Sequence, residues 1–232
     1  MMREVDKGNG WKIREILGDK GTTDRTTFYF YKGRQAPRIE LTSLLAQQLA
    51  GFALIEKDLR NVLAWLKEIE TVFPKSQWAK EATISPDRTR FNVVKGLYVA
   101  SVAFYAKCFT QCEGRRAQLN RSNLDEVFRE PHDEVMRQRH NYVAHSGADR
   151  FEQVKVALVL PPTKTSVEEP KIWKELTQPD MLASAEDEKT FEELATHARE
   201  KVVYKIDSLE TKIFHEEILP RGKDYWYRKG KR

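Results

Sequence analysis

The chain has 232 residues, which is long enough to bury one full hydrophobic core. It carries 40 Lys and Arg against 35 Asp and Glu, so its net charge of +5 permits a polyanionic partner without requiring one. Two cysteines, a polar start without a signal peptide and no uncharged apolar run of about 20 residues argue against a disulfide-stapled, secreted or membrane-spanning protein, and we expect a cytoplasmic one.

The first 38 residues are predicted to form a loose polar arm with one strand. Residues 1–25 are polar and rich in Gly, whereas residues 26–33 have the β-branched and aromatic side chains that are typical of a strand. Pro37 then ends that segment.

Helical periodicity dominates the next part of the chain. From about Leu41 to Glu70 the apolar residues recur at the spacing of one helix face, which predicts a long amphipathic helix. Ser85 and Pro86 have the pattern of an N-cap and a first helical residue, and we expect the helix that they open to end at Gly114.

A basic loop and a short helix near residues 123–129 come next, followed by a helix of about 15 residues that Pro131 opens. Residues 151–160 are rich in Val and Leu and predict a buried strand, which could pair with the first strand candidate. The Pro- and charge-rich residues 161–183 predict a surface connection, and residues 184–219 predict a last long amphipathic helix.

These elements predict a mostly α protein, a bundle of about four to five helices with small β additions. We expect an N-terminal arm at residues 1–38, a helical domain at 39–219 and a basic aromatic tail at 220–232.

The segment RHNYVAH at residues 139–145 combines three chemical groups within two helical turns. Arg139 can hold a phosphate through the planar fork of its guanidinium. His145 can transfer a proton near neutral pH, and Asn141, four residues before it, lies on the same helix face. Gly147 is expected to end the helix just after the imidazole. These are parts that can cleave a phosphodiester without a metal ion.

The spacing of Arg139 and His145 carries little weight alone, because a chain with 19 Arg and 5 His contains about one such pair by chance. His145 could simply stabilise the negative end of the helix dipole, and Arg139 could be a solvated charge. Six positions on an ideal helix place the two side chains about 120° apart. A long side chain or a second copy of the chain could bridge that gap.

The segment resembles the Arg-polar-x-x-x-Ala-His signature of the HEPN superfamily, at Arg139, His140, Ala144 and His145. Members of that superfamily are small all-α bundles, often toxins or defence proteins, and many are metal-independent ribonucleases. The order of elements over roughly residues 40–219 is also similar. The strand-like segment, the long connection and the N-terminal arm depart from the family pattern, which leaves the subfamily open.

The resemblance implies a homodimer that cleaves RNA with no cofactor, its two signatures facing one cleft. Arg139 would grip the scissile phosphate and stabilise charge in the transition state. His145 would act as general base or general acid, while Asn141 and His140 would orient the phosphate or the imidazole. The product would carry a 2′,3′-cyclic phosphate.

The resemblance also implies a role in stress response or phage defence, with an antitoxin or regulatory protein as a further partner.

Two alternatives to the ribonuclease remain open from the sequence. One is a non-catalytic dimeric bundle of HEPN type that binds nucleotide, nucleic acid or a partner protein. The other is a structural or interaction protein in which the signature only contributes stability.

Basic residues outside the signature are candidates for RNA contact. Arg115, Arg116 and Arg121 lie in one basic loop. In the tail, Trp226 and Arg228 combine an aromatic ring with a cation, a pattern that suits single-stranded nucleic acid. Basic tails are also commonly disordered and solubilising.

We expect no metal site. Cys108 and Cys112 lack the C-x-x-C spacing of common zinc sites and are better read as small apolar residues of a core stripe. His132 is expected to be a solvated first-turn residue, and His197 and His215 to be surface or packing residues.

Overall fold

The computed structural model describes residues 2–18, 25–72, 89–140, 153–164, 167–177 and 190–230. Within these ranges the fold is mostly α with two small antiparallel sheets, as the sequence predicted. The strands are β1 (Met2–Gly8), β2 (Trp11–Leu17), β3 (Arg25–Tyr31), β4 (Arg34–Ala36), β5 (Gln153–Val159) and β6 (Lys171–Thr177). The helices are α1 (Leu44–Val72), α2 (Thr89–Cys108), α3 (Arg129–Gln138), α4 (Phe191–Ile213) and α5 (Gly222–Lys229).

Two compact units divide the chain. Met1–Ala46 and Ser208–Arg232 form one, which we call the sheet unit, and Gln47–Asp207 forms the other, which we call the helical unit. This division differs from the predicted arm, domain and tail, because the two ends of the chain belong to the same unit.

The sheet unit contains a four-stranded antiparallel meander in the order β1-β2-β3-β4, so the expectation of a loose arm is wrong. Asn9-Gly10 joins β1 to β2, and Lys32-Gly33 joins β3 to β4. All four turn residues have positive φ, the geometry of the two-residue turns that match the twist of a hairpin. The amide of Lys32 donates to the carbonyl oxygen of Gly10 at 2.8 Å, which ties the two turns together.

The C-terminal segment of the sheet unit is helical rather than a loose tail. A π-helical turn and a 3-10 turn lead from α4 into α5. The indole of Trp226 donates to the carbonyl oxygen of Ile218 at 3.0 Å, which fastens α5 to the preceding turn. A Cβ atom at Gly230 would lie 2.9 Å from Cβ of Pro37, so the end of α5 approaches the segment after β4 at a distance that only glycine allows.

The core of the helical unit lies between α1, α2, α3 and α4. The apolar periodicity predicted α1 correctly, whereas α2 ends at Cys108, before the predicted Gly114. Cys108 is buried, as predicted, and burial raises the pKa of its thiol to about 12. The core consists of Ile55, Leu59, Val62, Val102, Tyr105, Cys108, Leu119, Leu124, Val135, Leu194, Ala195, Ala198 and Val202.

The predicted strand at 151–160 is confirmed as β5, but it is neither buried nor paired with β3. It pairs with β6, which lies in the predicted connection, in a register that runs from Gln153↔Thr177 to Val159↔Lys171. Alternation along β5 places Val154, Val156 and Leu158 on one face, where all three are exposed.

Candidate functional site

Helix α3 carries the first residues of the signature. Its backbone continues through Arg139 and His140 as a π-helical turn, and Arg139 has right-handed helical dihedral angles. Asn141, His145 and Gly147 lie outside the described residues. The described part of the candidate site therefore consists of Arg139, His140 and the contacts that position α3.

Contacts with α4 and with a neighbouring loop fix the start of α3. Nε and Nη2 of Arg121 bind the two carboxylate oxygens of Asp133 at 3.0 Å or less. The amide of Asp125 donates to Nε2 of His197 at 3.1 Å, and the imidazole stacks on Phe128 at 4.1 Å between ring centroids.

The His197 ring is neutral in this arrangement. Nε2 of His197 also lies 3.6 Å from a carboxylate oxygen of Asp125, which would favour a charged ring. Because Nε2 accepts the backbone N–H, however, it has no proton of its own, and burial lowers the pKa of His197. His197 is thus a packing residue, one of the two roles that the sequence left open for it.

Helix α2 fixes the middle of α3 through a second buried histidine. His132 is only 5% exposed, so the prediction of a solvated residue is wrong. Its Nδ1 lies 3.0 Å from the hydroxyl of Tyr105, and its ring packs on Phe109 at 4.4 Å between centroids. Burial lowers the pKa of His132 and raises the pKa of Tyr105, so both side chains are neutral near pH 7.

A polar network holds the end of α3 one residue before the signature. The hydroxyl of Tyr98 on α2 donates to Oε1 of Gln138, and Nε2 of Gln138 donates to Glu134 at 2.9 Å. Arg137 binds both oxygens of Glu134 at 2.8 Å and lowers the pKa of that carboxyl. The contact that joins this network to α2 could not be predicted from the sequence, because Tyr98 and Gln138 are 40 positions apart in the chain.

Arg139 is half-buried. It lies seven residues after His132 and four residues after Val135, both of which are buried. It therefore continues the core-facing stripe of α3 at the point where that stripe reaches the end of the described helix. Asp133 and Glu134 are already engaged by other arginines. Among the residues that the structure describes, the guanidinium of Arg139 has no hydrogen-bond or ion-pair partner. His140, next to it, is exposed.

The three arginines of the basic loop have different surroundings. Arg115 is only 8% exposed; its Nη1 lies 3.3 Å from Oδ2 of the buried Asp58, and its Nη2 donates to the carbonyl oxygen of Lys107 at 2.7 Å. This burial argues against the predicted contact of Arg115 with RNA. Arg116 is exposed, and Arg121 is exposed but bound to Asp133.

The aromatic side chain of the tail is less accessible than the sequence suggested. Trp226 is half-buried, and cations of Arg221 and Lys229 each lie 5.7 Å from its ring centroid. Arg228 is exposed. Stacking of a base on Trp226 would have to displace its own cations.

The described residues contain no group of three or more His, Cys, Asp or Glu side chains placed to hold a metal ion. In the same part of the chain, no helix combines the length and the apolar character needed to cross a bilayer. Comparisons with protein-family models, with curated proteins and with solved structures found no match.

Proposed function

We propose that this protein is a metal-independent endoribonuclease of HEPN type that acts as a homodimer. Arg139 and His145 are the catalytic pair, and His140 and Asn141 orient the phosphate or the imidazole. The observation that carries the proposal is the position of Arg139, a half-buried residue. Arg139 continues the core-facing stripe of a firmly held helix at the last described turn, and its guanidinium has no acidic partner in the described part of the chain.

The firm hold on α3 supports the proposal because electrostatic catalysis depends on charges that need no reorganisation. Gln138, the residue before Arg139, is bound by Tyr98, and His132 is bound by Tyr105. Both contacts anchor α3 to α2, which contributes Val102, Tyr105 and Cys108 to the core. A guanidinium on such a support can meet the non-bridging oxygens of a phosphate with two parallel donors.

The proposed reaction needs only one proton acceptor and one proton donor. A base removes the proton of the ribose 2′-hydroxyl, and the 2′-oxygen then forms a bond to phosphorus. The bond from phosphorus to the 5′-oxygen breaks, and that oxygen leaves with a proton from the acid. The products are a 2′,3′-cyclic phosphate and a 5′-hydroxyl. His145 takes the part of base or acid, and Arg139 stabilises the charge that develops on the phosphate.

Cleavage of a labelled single-stranded RNA in EDTA tests the proposal. We expect Arg139→Ala to lower the cleavage rate by about 10²-fold or more, as loss of a transition-state donor does. Arg137→Ala is the matched control, since Arg137 lies two residues away on α3, is exposed and forms an ion pair with Glu134. We expect it to retain nearly full activity.

The chemical structure of the 3′ ends of the cleavage products gives a second test. The wild-type products should carry cyclic phosphate, His145→Ala should be inactive, and a strand with a single 2′-deoxy position should resist cleavage there. Folded wild-type protein that leaves RNA intact, or cleavage that survives in both Arg139→Ala and His145→Ala, would refute the proposal. Mixing the two inactive variants adds a test of the shared cleft, because regained activity requires that one subunit supply Arg139 and its partner His145.

A further inference from the structure

One end of the four-stranded sheet presents two exposed aromatic rings side by side. Trp11 and Tyr31 are directly opposite each other in the register of β2 and β3, and their ring centroids lie 4.8 Å apart. Trp11 is 43% exposed and Tyr31 is 41% exposed. The turns at Asn9-Gly10 and Lys32-Gly33 lie at this same end, and their mutual hydrogen bond gives the rings a fixed support.

Two cations accompany these rings. The ammonium of Lys32 lies 5.3 Å from the ring centroid of Tyr31, and Arg34 is directly opposite Tyr31 in the register of β3 and β4. Residues directly opposite on neighbouring strands share a face, so Arg34 lies beside the rings. In the described ranges neither Lys32 nor Arg34 has an acidic partner. We call the set Trp11, Tyr31, Lys32 and Arg34 the aromatic rim.

The opposite face of the same sheet is different. There Lys12 and Arg14 both bind Glu4, at 3.0 Å and 2.6 Å, so each of these cations has an acidic partner. Arg14 also lies over the ring of Phe30. Unpaired cations beside exposed rings are therefore a property of the rim and not of every face of the sheet.

The net positive charge of the chain also lies in the sheet unit. That unit contains 16 Lys and Arg against 10 Asp and Glu, whereas the helical unit contains 24 against 25. A polyanion is consequently attracted more strongly to the sheet unit than to the helical unit as a whole.

We propose that the aromatic rim binds single-stranded nucleic acid, with bases stacked on Trp11 and Tyr31 and phosphates held by Lys32 and Arg34. Aromatic platforms next to unpaired cations suit a ligand that carries flat rings and negative charges in alternation. An acidic peptide would use the cations but leave the rings without a partner. The proposed function enters only in the choice of RNA as the natural strand; the binding is tested separately from cleavage.

The test measures binding of a fluorescent oligouridylate by anisotropy, in full-length protein that carries Arg139→Ala so that the strand stays intact. We expect Trp11→Leu and Tyr31→Leu each to weaken binding by about 5- to 100-fold, the usual effect of losing one stacked base. Trp11→Phe, which keeps an aromatic ring for stacking, should retain most of the parent protein's affinity. Arg34→Gln should weaken binding several-fold and lower the magnitude of the slope of log affinity against log salt by about 0.7, the contribution of one phosphate contact on a single strand.

Two matched controls distinguish binding at the aromatic rim from non-specific binding to any exposed ring or cation. Trp173→Leu removes an exposed aromatic ring from β6 in the helical unit, and Lys12→Gln removes a cation from the opposite face of the sheet. Both should bind like the parent protein. Hydrogen exchange of the β2 and β3 amides shows whether each variant keeps its sheet, so that a loss of binding with the sheet intact supports the rim.

Unchanged affinity in Trp11→Leu and Tyr31→Leu, or an equal loss in Trp173→Leu, would overturn the proposal. A competition experiment with polyglutamate gives a further way to overturn it. If polyglutamate displaces the oligouridylate equally well from Trp11→Leu and from the parent protein, the rings do not contribute to binding and an acidic peptide is the better partner. Rim-dependent binding without RNA cleavage by the wild type contradicts only the proposed function. Cleavage with an unchanged KM in Trp11→Leu contradicts only the rim.

Discussion

The helical unit and the sheet unit are stabilised in different ways. The helical unit buries its apolar side chains together with an ion pair of Asp58 and Arg115 and two neutral histidines. The sheet unit relies on two hairpin turns and on side-chain pairs at its surface, such as Trp11 with Tyr31. A buried scaffold suits the fixed presentation of one catalytic group, whereas an open sheet suits contact with an extended ligand. The difference predicts where substitutions affect stability and where they affect binding.

Removal of one partner of the buried ion pair should have the largest effect on stability. Arg115→Met leaves the carboxylate of Asp58, which is only 1% exposed, without its buried counter-ion, and such a change costs about 3–5 kcal/mol. The ammonium of Lys107 lies 3.2 Å from the same carboxylate oxygen and offsets part of that cost. Lys57 contributes less, because its ammonium lies 3.3 Å from Oδ1 without forming a hydrogen bond.

Urea unfolding followed by far-UV circular dichroism measures this loss. Arg116→Met is the matched control, since Arg116 is the next residue and is exposed, and its free energy of unfolding should change by less than about 0.5 kcal/mol. Equal stability of the two variants would show that the buried pair contributes nothing and that the contrast between the units is wrong.

Two leucines in the helical unit test the role of burial with the same chemical change. Leu59 is fully buried between the helices, and Leu59→Ala should lower the free energy of unfolding by about 2–5 kcal/mol. Leu158 on β5 is exposed, and Leu158→Ala should change it by less than about 0.5 kcal/mol. A comparable loss at Leu158 would mean that the aliphatic face of β5 is covered in solution, for instance by a second copy of the chain.

The helices could be predicted from the sequence because burial on one side imposes a period that the chain itself displays. Most strands could not, because their faces are partly solvated and polar residues interrupt the alternation. In β6, Lys174 lies between Ile172 and Leu176, and β1 has one aliphatic residue, Val5, at its centre. The Asn9-Gly10 dipeptide is a local hairpin signal, but it was overlooked when residues 1–25 were predicted to be a loose arm.

The surroundings of the candidate site residues could be predicted only in part. The helical start of the signature at Arg139 follows from local pattern. The burial of Arg115 does not, because its partner Asp58 lies 57 positions earlier and the local sequence is that of a basic loop. His132 is similar, since its partner Tyr105 is 27 positions away. Long-range pairing of polar side chains leaves no periodic trace in one sequence.

The two buried histidines predict that acid destabilises the helical unit. The pKa of His132 is lowered in the folded chain mainly by burial, with Arg121 adding to that effect and Asp133 opposing it. The unfolded chain therefore takes up the proton first, near the ordinary pKa of about 6.5. Stability is complete above that pH and falls as the pH drops from about 6.5 towards the lowered pKa of the folded state.

Unfolding in urea at a series of pH values between 7.5 and 5 measures this dependence. His132→Gln should reduce the decrease in the free energy of unfolding between pH 7.5 and 5. His197→Gln should reduce it further, because the ring of His197 is also neutral in the folded chain. The carboxyl groups with lowered pKa values, such as Asp133, act only at more acidic pH, where the unfolded chain begins to protonate its own carboxylates. A stability that is flat to pH 5 in the wild type would contradict the neutral, buried state of both rings.

The smallest effect is expected at a turn of the sheet unit. Gly10 has φ +82°, and a Cβ atom there would lie 3.1 Å from Cγ of Lys32. Gly10→Ala should therefore destabilise the sheet by about 1 kcal/mol, through strain at positive φ and a contact that Lys32 must relieve. Gly114→Ala is the control, because Gly114 has no positive φ and no neighbour within 4 Å of an added Cβ atom. Faster hydrogen exchange in β1 to β4, with unchanged exchange in α1 and α2, would show that the sheet unit opens independently of the helical core. Equal acceleration in both units would show that they unfold together and that the turns stabilise the whole chain.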